Sequence, residues 1–270
     1  MSRIKFLSAV VGALAFASST SVMAQCSIAA WSNAATTTAT ASTPAGGGRY
    51  SGSCAAVVAA PGANSFVVDN TPAAETSYRA RFYVYTGNLG GAEADVFQAQ
   101  NAANANIVRV TYTAGTGFRF YANGANGGNA IGTPVAAVAD RWYGVEVRWT
   151  NAGTFSAIVR GNATAAPAQP QVSITGFSNS ADRIETARLG ILTTTGVTGG
   201  IRLDDFDSRR TTDIGFIVRG DANNNGSLSI ADAIAVRNEA NGGALAPGQA
   251  DCNENGSVNI SDAICVRNQL

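Results

Sequence analysis

From about Ser65 to Ser208 apolar and polar residues alternate with a period of two. In the run Ser77–Tyr85, Tyr78, Ala80, Phe82 and Val84 fall on one side of an extended chain, and Arg79, Arg81, Tyr83 and Tyr85 fall on the other. Val108, Val110 and Tyr112 alternate with Arg109 and Thr111, and Tyr143, Val145, Val147 and Trp149 with Gly144, Glu146 and Arg148. Shorter runs follow at Phe118–Ala122, Thr154–Arg160, Val172–Thr175, Arg188–Leu192 and Ile201–Phe206. Turn chemistry such as Asn123–Gly128 separates them. Side chains of a strand point alternately to opposite faces, so this pattern predicts a mainly β domain, an antiparallel β-sandwich. The Arg- and Tyr-bearing face is expected to meet solvent. Roughly 140 residues suffice for a core of this kind.

The pattern changes at both ends. Arg3 and Lys5 precede an apolar run, Phe6–Ala17, and Val22-Met23-Ala24 has the small-x-small spacing of a cleavage site. Residues 1–24 therefore read as a signal peptide cut before Gln25. The apolar run is shorter than the roughly 20 residues that cross a bilayer, so no membrane span is expected after cleavage and the protein is expected to be secreted. Residues 25–64, rich in Ala, Thr and Gly, read as an extended lead-in with at most one edge strand. The sandwich is assigned to 65–212 and a small helical module to 213–270.

Composition then excludes much chemistry. The chain has no histidine, and its sole lysine, Lys5, leaves with the leader. Ser-His-Asp or Cys-His catalysis, a Schiff-base lysine and imidazole-dependent zinc sites are all ruled out. The formal charge is balanced and no basic run exists, so there is no footprint for nucleic acid. Four cysteines in an exported chain imply two disulfides, with three possible connectivities. Spacing favours Cys26 with Cys54 and Cys252 with Cys265.

The module contains an internal repeat. Residues 221–239 and 251–269 are identical at 12 of 19 positions without a gap. Each copy opens as an EF-hand-type loop, with oxygen-bearing side chains at positions 1, 3 and 5, glycine at 6 and an acid at 12. The ligand sets are Asp221, Asn223, Asn225, the Ser227 carbonyl and Asp232 in the first copy, with a water near Ser229. In the second they are Asp251, Asn253, Asn255, the Ser257 carbonyl and Asp262, with a water near Asn259. Two Ca²⁺ sites are predicted. With two carboxylates each, their affinities should lie toward the micromolar-to-millimolar range. A single apolar-patterned helix follows each loop. Cys252 and Cys265 stand where the first copy has Ala222 and Ala235, so the two side chains of each pair are expected to touch.

A loop and helix, duplicated at about thirty residues and closing on Asp, resembles the dockerin family. That resemblance implies a docking module for a cohesin-like or cell-surface protein partner. In the family, loop positions 10 and 11 contribute to partner choice, often as Ser-Thr; here they are Ile230-Ala231 and Ile260-Ser261. The sandwich is similar to the concanavalin A-like or laminin G-like jelly roll of exported carbohydrate-active proteins. The likeness rests on its Tyr78–Val84, Trp142–Trp149 and Ile201–Phe206 strands, and it implies a polysaccharide ligand. Glu93-Ala94-Asp95-Val96-Phe97-Gln98 is similar to the Glu-x-Asp-x-x-Glu strand of laminarinase-like hydrolases, which makes Glu93 and Asp95 the candidate catalytic pair. Gln98 stands where the second glutamate is required, and retaining hydrolysis needs both carboxyl groups. Asp204, Asp205 and Asp207 form a second acidic cluster, expected to satisfy turn amides and arginines. Tyr83, Tyr85 and Tyr121 are candidates for stacking on sugar rings, or else for cross-strand pairs on a half-exposed sheet. The expected function is non-catalytic binding of glycan or surface polymer, with docking through the C-terminal module. The alternatives are a glycoside hydrolase or polysaccharide lyase, and a structural cell-surface protein.

Overall fold

The structure, a computed structural model, describes residues 31–32, 40–41, 48–59, 64–122, 128, 130–161, 169–177, 181–193 and 195–270. The expected leader, its cleavage point and Cys26 lie outside the described residues. The strands are β1 (Thr40–Ala41), β2 (Ala56–Ala59), β3 (Ser65–Asp69), β4 (Ser77–Tyr85), β5 (Ala94–Gln100) and β6 (Asn106–Thr113). They continue with β7 (Gly117–Tyr121), β8 (Trp142–Thr150), β9 (Thr154–Gly161), β10 (Val172–Thr175), β11 (Thr186–Ile191) and β12 (Gly200–Arg209). Two helices close the chain, α1 (Ile230–Ala240) and α2 (Ile260–Arg267).

The strands form two antiparallel sheets. One has seven strands in the order β1-β2-β12-β4-β8-β9-β10; the other has five, β3-β11-β5-β6-β7. Their apolar faces meet in one core. Phe82 of β4 stacks on Phe97 of β5 with ring centroids 5.3 Å apart, and Phe120 of β7 meets Phe155 of β9 at 6.2 Å. Each ring so buried contributes roughly 1.5–3 kcal/mol. The fold is thus the mainly β sandwich that the alternation predicts, with the helices of the described residues at the C-terminus.

Two features depart from the simple alternation. β5 is buried along its whole length, because Asp95, Gln98 and Gln100 occupy a covered polar face and bond to one another or to β6. The outer face of the seven-stranded sheet is not left to solvent at its centre. Tyr83 and Trp142 are fully buried there and, with Tyr50 and Ala55, form a second apolar cluster against Phe216 and Ile217. Exposing such rings to water would be unfavourable, and the chain covers them with residues 48–55, the strand-to-module connection and the module itself.

β12 carries the irregularity that ties this cover down. Its register against β4 shifts between Asp204 and Asp207, and Asp205 has φ 47°. The Asp204 carboxylate accepts the backbone N–H groups of Tyr50 at 2.6 Å and Ser51 at 3.1 Å, and the Asp205 side chain accepts from the Ser51 hydroxyl. Burial, with Asp205 beside it, holds the Asp204 carboxyl well above the usual carboxylate range.

Candidate functional site

The two loops of the module are built alike, hydrogen bond by hydrogen bond. Asp221 accepts from the N–H groups of Asn225 (3.0 Å) and Gly226 (2.7 Å); Asp251 accepts from those of Asn255 (3.0 Å) and Gly256 (2.6 Å). Asn225 Oδ1 accepts from Ser227 N at 2.9 Å, and Asn255 Oδ1 from Ser257 N at 3.0 Å. Asn224 and Glu254 both have φ 58°, and Gly226 and Gly256 follow at 83° and 87°. This left-handed pair is what turns each chain back on itself, and glycine at the sixth place takes it without Cβ strain.

The acid at position 12 belongs to loop and helix together. Asp232 Oδ1 accepts from Asn223 N at 3.0 Å, while its Oδ2 accepts from Ser229 N, the residue capping α1, at 2.8 Å. Asp262 does the same with Asn253 and Asn259, at 3.0 Å each. These four aspartates are buried. In the second loop burial, reinforced by Asp262, pushes the Asp251 carboxyl up to about 7. The Asp262 carboxyl is also raised, chiefly by burial. Paired buried carboxylates ringed by amide and hydroxyl oxygens are a donor set for a hard cation, with no soft ligand among them. Among the described residues no group of three or more His, Cys, Asp or Glu side chains gathers around one point. Each predicted ligand set brings two acids, its other oxygens being neutral; the third acid of the second loop, Glu254, turns away to Tyr50 and Arg160.

The helices pack through small residues. Ala233 and Val236 of α1 and Ala263 and Val266 of α2 share a core with Ala222, Ala246, Ala250 and Cys252. Cys252 and Cys265 are joined by a disulfide from loop to helix, as the paired replacement of alanines predicts. Cys54 is also disulfide-bonded; its predicted partner, Cys26, lies outside the described residues. On the opposite side, each helix shows solvent two isoleucines one turn apart. Ile230 and Ile234 are 59% and 44% exposed, and Ile260 and Ile264 are 54% and 44% exposed. The two copies thus expose large apolar side chains at matching places.

The module is seated on the sandwich through its second loop. The Glu254 carbonyl accepts from the backbone N–H of Trp142 at 3.0 Å, and the Asn255 carbonyl accepts from the Tyr85 hydroxyl at 3.3 Å. The Glu254 carboxylate accepts from the Tyr50 hydroxyl at 3.1 Å and faces Arg160 at 3.4 Å. Arg160 also donates to Tyr50 and to the Ile217 carbonyl, both at 2.8 Å. A second buried pair holds the end of α1, where Arg49 clamps Glu239 with two hydrogen bonds of 3.0 and 2.9 Å. Tyr83, expected to face a sugar, instead stacks on Tyr50 at 3.7 Å, and the Tyr85 ring lies against Gly256. The reason lies in the face they share: it is the one that residues 48–55, the connecting segment and the module cover.

The acidic candidates of the sandwich are engaged elsewhere. Asp95 is gripped by Arg109, with contacts of 2.7–3.3 Å, and accepts from Gln98 at 2.7 Å. Glu93, just before β5, accepts from Thr111 (2.6 Å) and Tyr121 (2.7 Å). Burial raises its carboxyl, but these two bonds with Arg119 and Arg109 nearby outweigh that and lower it. With its carboxyl lowered, Glu93 is not arranged as a proton donor at neutral pH. Tyr121 remains partly open, with the Arg109 guanidinium 4.6 Å from its ring centroid. Asp204, Asp205 and Asp207 border a cavity of about 480 Å³ with Trp31 and Phe206; Asp207 pairs with Arg209.

Fold and loops together define an antiparallel β-sandwich bearing a duplicated loop-and-helix module. Residues 219–270 match the dockerin type I domain family. No curated protein matches the sequence. Among solved structures, the chain is similar to "Cellulose induced protein, Cip1" at 12% identity and TM-score 0.48, covering 68% of this chain and 94% of that one. It is also similar to the botulinum neurotoxin serotype G binding domain, at 12% identity and TM-score 0.41, covering 64% of this chain and 43% of that one. A third is the SAP-like pentraxin of Limulus polyphemus, at 14% identity and TM-score 0.40, covering 56% and 74%. Among the described residues no helix is long and apolar enough to cross a membrane.

Proposed function

We propose that this protein is an exported, calcium-folded docking protein: its C-terminal module attaches the sandwich to a protein partner of the cohesin kind. The observation that carries this reading is the duplicated apolar surface, Ile230 with Ile234 and Ile260 with Ile264, on a domain of the dockerin family. Isoleucine at position 10 of each loop, with a second isoleucine one helical turn on, suits a partner that offers an apolar patch. Calcium acts as the folding ligand. Asp221, Asn223, Asn225, the Ser227 carbonyl and Asp232 hold one ion; Asp251, Asn253, Asn255, the Ser257 carbonyl and Asp262 hold the other. Charge removed from buried, mutually repelling carboxylates is the stabilisation each ion supplies.

The sandwich, in this reading, is the cargo and binds a glycan or surface polymer without catalysis. With Tyr83 and Tyr85 under the module, Tyr121 and the polar rim around Glu93 and Arg109 are its candidate contact. Affinity electrophoresis in gels cast with polysaccharides, comparing the native chain with Tyr121→Ala, tests that part. The docking claim is tested by calorimetric titration of cohesin domains into the full chain in calcium. The double variant Ile230→Asp/Ile260→Asp is expected to lose at least a hundredfold in affinity, as removal of central apolar anchors does, with its melting temperature unchanged. Undiminished binding by that variant would place the docking surface elsewhere.

A further inference from the structure

The two loops share one hydrogen-bond scheme but not one environment. Residues 224–227 of the first loop are exposed, whereas Glu254 and Gly256 at the matching places of the second are buried. The difference begins in the sequence: position 4 is Asn224 in one copy and Glu254 in the other, at the same φ of 58°. Glu254 turns its carboxylate outward to Tyr50 and Arg160, and its own carbonyl and that of Asn255 are pinned by Trp142 and Tyr85. Outside the module the first repeat is held at the far end of its helix, through Glu239 and Arg49, while its loop bonds within the module, the Asp221 and Ala222 carbonyls accepting from the N–H groups of Gln249 and Gly248.

We infer that the second loop is a clasp: the sandwich holds residues 254–256 in the shape that cation binding requires, so seating of the module and filling of that loop reinforce each other. Resting on the calcium reading above, this makes the two sites unequal by construction. A loop already fixed at positions 4 and 5 loses less conformational freedom when Asn253, Asn255 and the Ser257 carbonyl converge on an ion. Linkage is reciprocal, so whatever the seat adds to the affinity of the second loop, the filled loop returns to the seat. The first loop, exposed from position 4 to position 7, gains none of this. Coupling between sites typically amounts to 5–150-fold in affinity, which sets the scale of the inequality. The clasp also explains why the outer face of β4 and β8 carries buried aromatics: it is a receptor surface for the chain's own module.

The test is calcium titration of the full chain by calorimetry, with tryptophan emission followed in parallel, because Trp142 lies directly beneath the second loop. Two affinity classes about tenfold or more apart are expected, the emission change tracking the tighter one. Glu254→Asn installs the residue of the first loop at the same backbone angle, and it is expected to bring the tight class down to the weak one. Tyr50→Phe removes the hydroxyl that Glu254 accepts from, without altering charge; it is expected to weaken the tight class several-fold and leave the weak class alone. Two equal classes in the native chain, or a tight class untouched by Tyr50→Phe, would overturn the clasp while leaving both calcium sites standing. Absence of calcium binding altogether would remove the calcium reading and the clasp with it.

Discussion

Glycine at the sixth place of each loop answers two demands, one common to both copies and one peculiar to the second. At φ 83° and 87° an L side chain costs about 1–2 kcal/mol, whichever loop it occupies. A Cβ at Gly226 would meet open space, whereas one at Gly256 would run into the Tyr85 ring. Gly226→Ala is therefore expected to lower stability by about 1 kcal/mol, and Gly256→Ala by at least twice that, because Tyr85 must leave its seat. Urea unfolding in excess calcium measures both; equal losses would mean that Tyr85 and the second loop are not in contact. The glycines, aspartates and asparagines of the loops are legible in the sequence because their roles are set within a dozen residues of chain. Glu254 is not legible in that way. Its departure from Asn224 is visible on comparing the copies, but its partners Tyr50 and Arg160 lie 204 and 94 positions away. Tyr83 was misplaced for the same reason, since local alternation reports a side and not what covers it.

The helices are short, and each depends on its loop for its first turn, where Asp232 and Asp262 cap the entering chain. Their shared core is mostly alanine and valine, too little apolar area to hold two helices unaided. The disulfide supplies a constraint instead. Replacing Cys252 and Cys265 by alanine recreates the pair that the first repeat has at Ala222 and Ala235, so the shape is tolerated. Releasing a crosslink across 13 residues is then expected to cost about 3 kcal/mol. Helix loss followed by circular dichroism in denaturant reads this directly, and an unshifted helix transition would show that the bridge adds nothing to the module. Among the strands, β4, β6 and β8 follow the period of two and are plain in the sequence. β1 and β2 arise in an Ala- and Thr-rich stretch with no alternation, and only their pairing beside β12 makes them strands. β5 hides because polar residues fill a buried face, which pattern alone reads as solvent-facing.

At the scale of the whole molecule, sandwich and module are joined by more than a connecting segment. The chain leaves β12 and runs along the outer sheet face, where Gly215 N donates to Glu146 at 2.9 Å and Ile217 N to the Tyr83 hydroxyl at 2.8 Å. It then enters the first loop. Two buried ion pairs, Arg49 with Glu239 and Arg160 with Glu254, close the seat, and removing one partner of such a pair commonly costs 3–5 kcal/mol. The two exposed isoleucine pairs remain outside this contact. In the proposed function the module meets its partner through these isoleucines while its second loop is held by its own chain. The proposed function rests on calcium folding the module, and hydrogen exchange of the intact, disulfide-bonded chain with and without a calcium chelator tests that most directly. The expected result is that chelation exposes the amides of residues 221–239 and 251–269 while those of β4 and β8 in the core stay protected. Equal protection of both helices in calcium and in chelator would contradict the account.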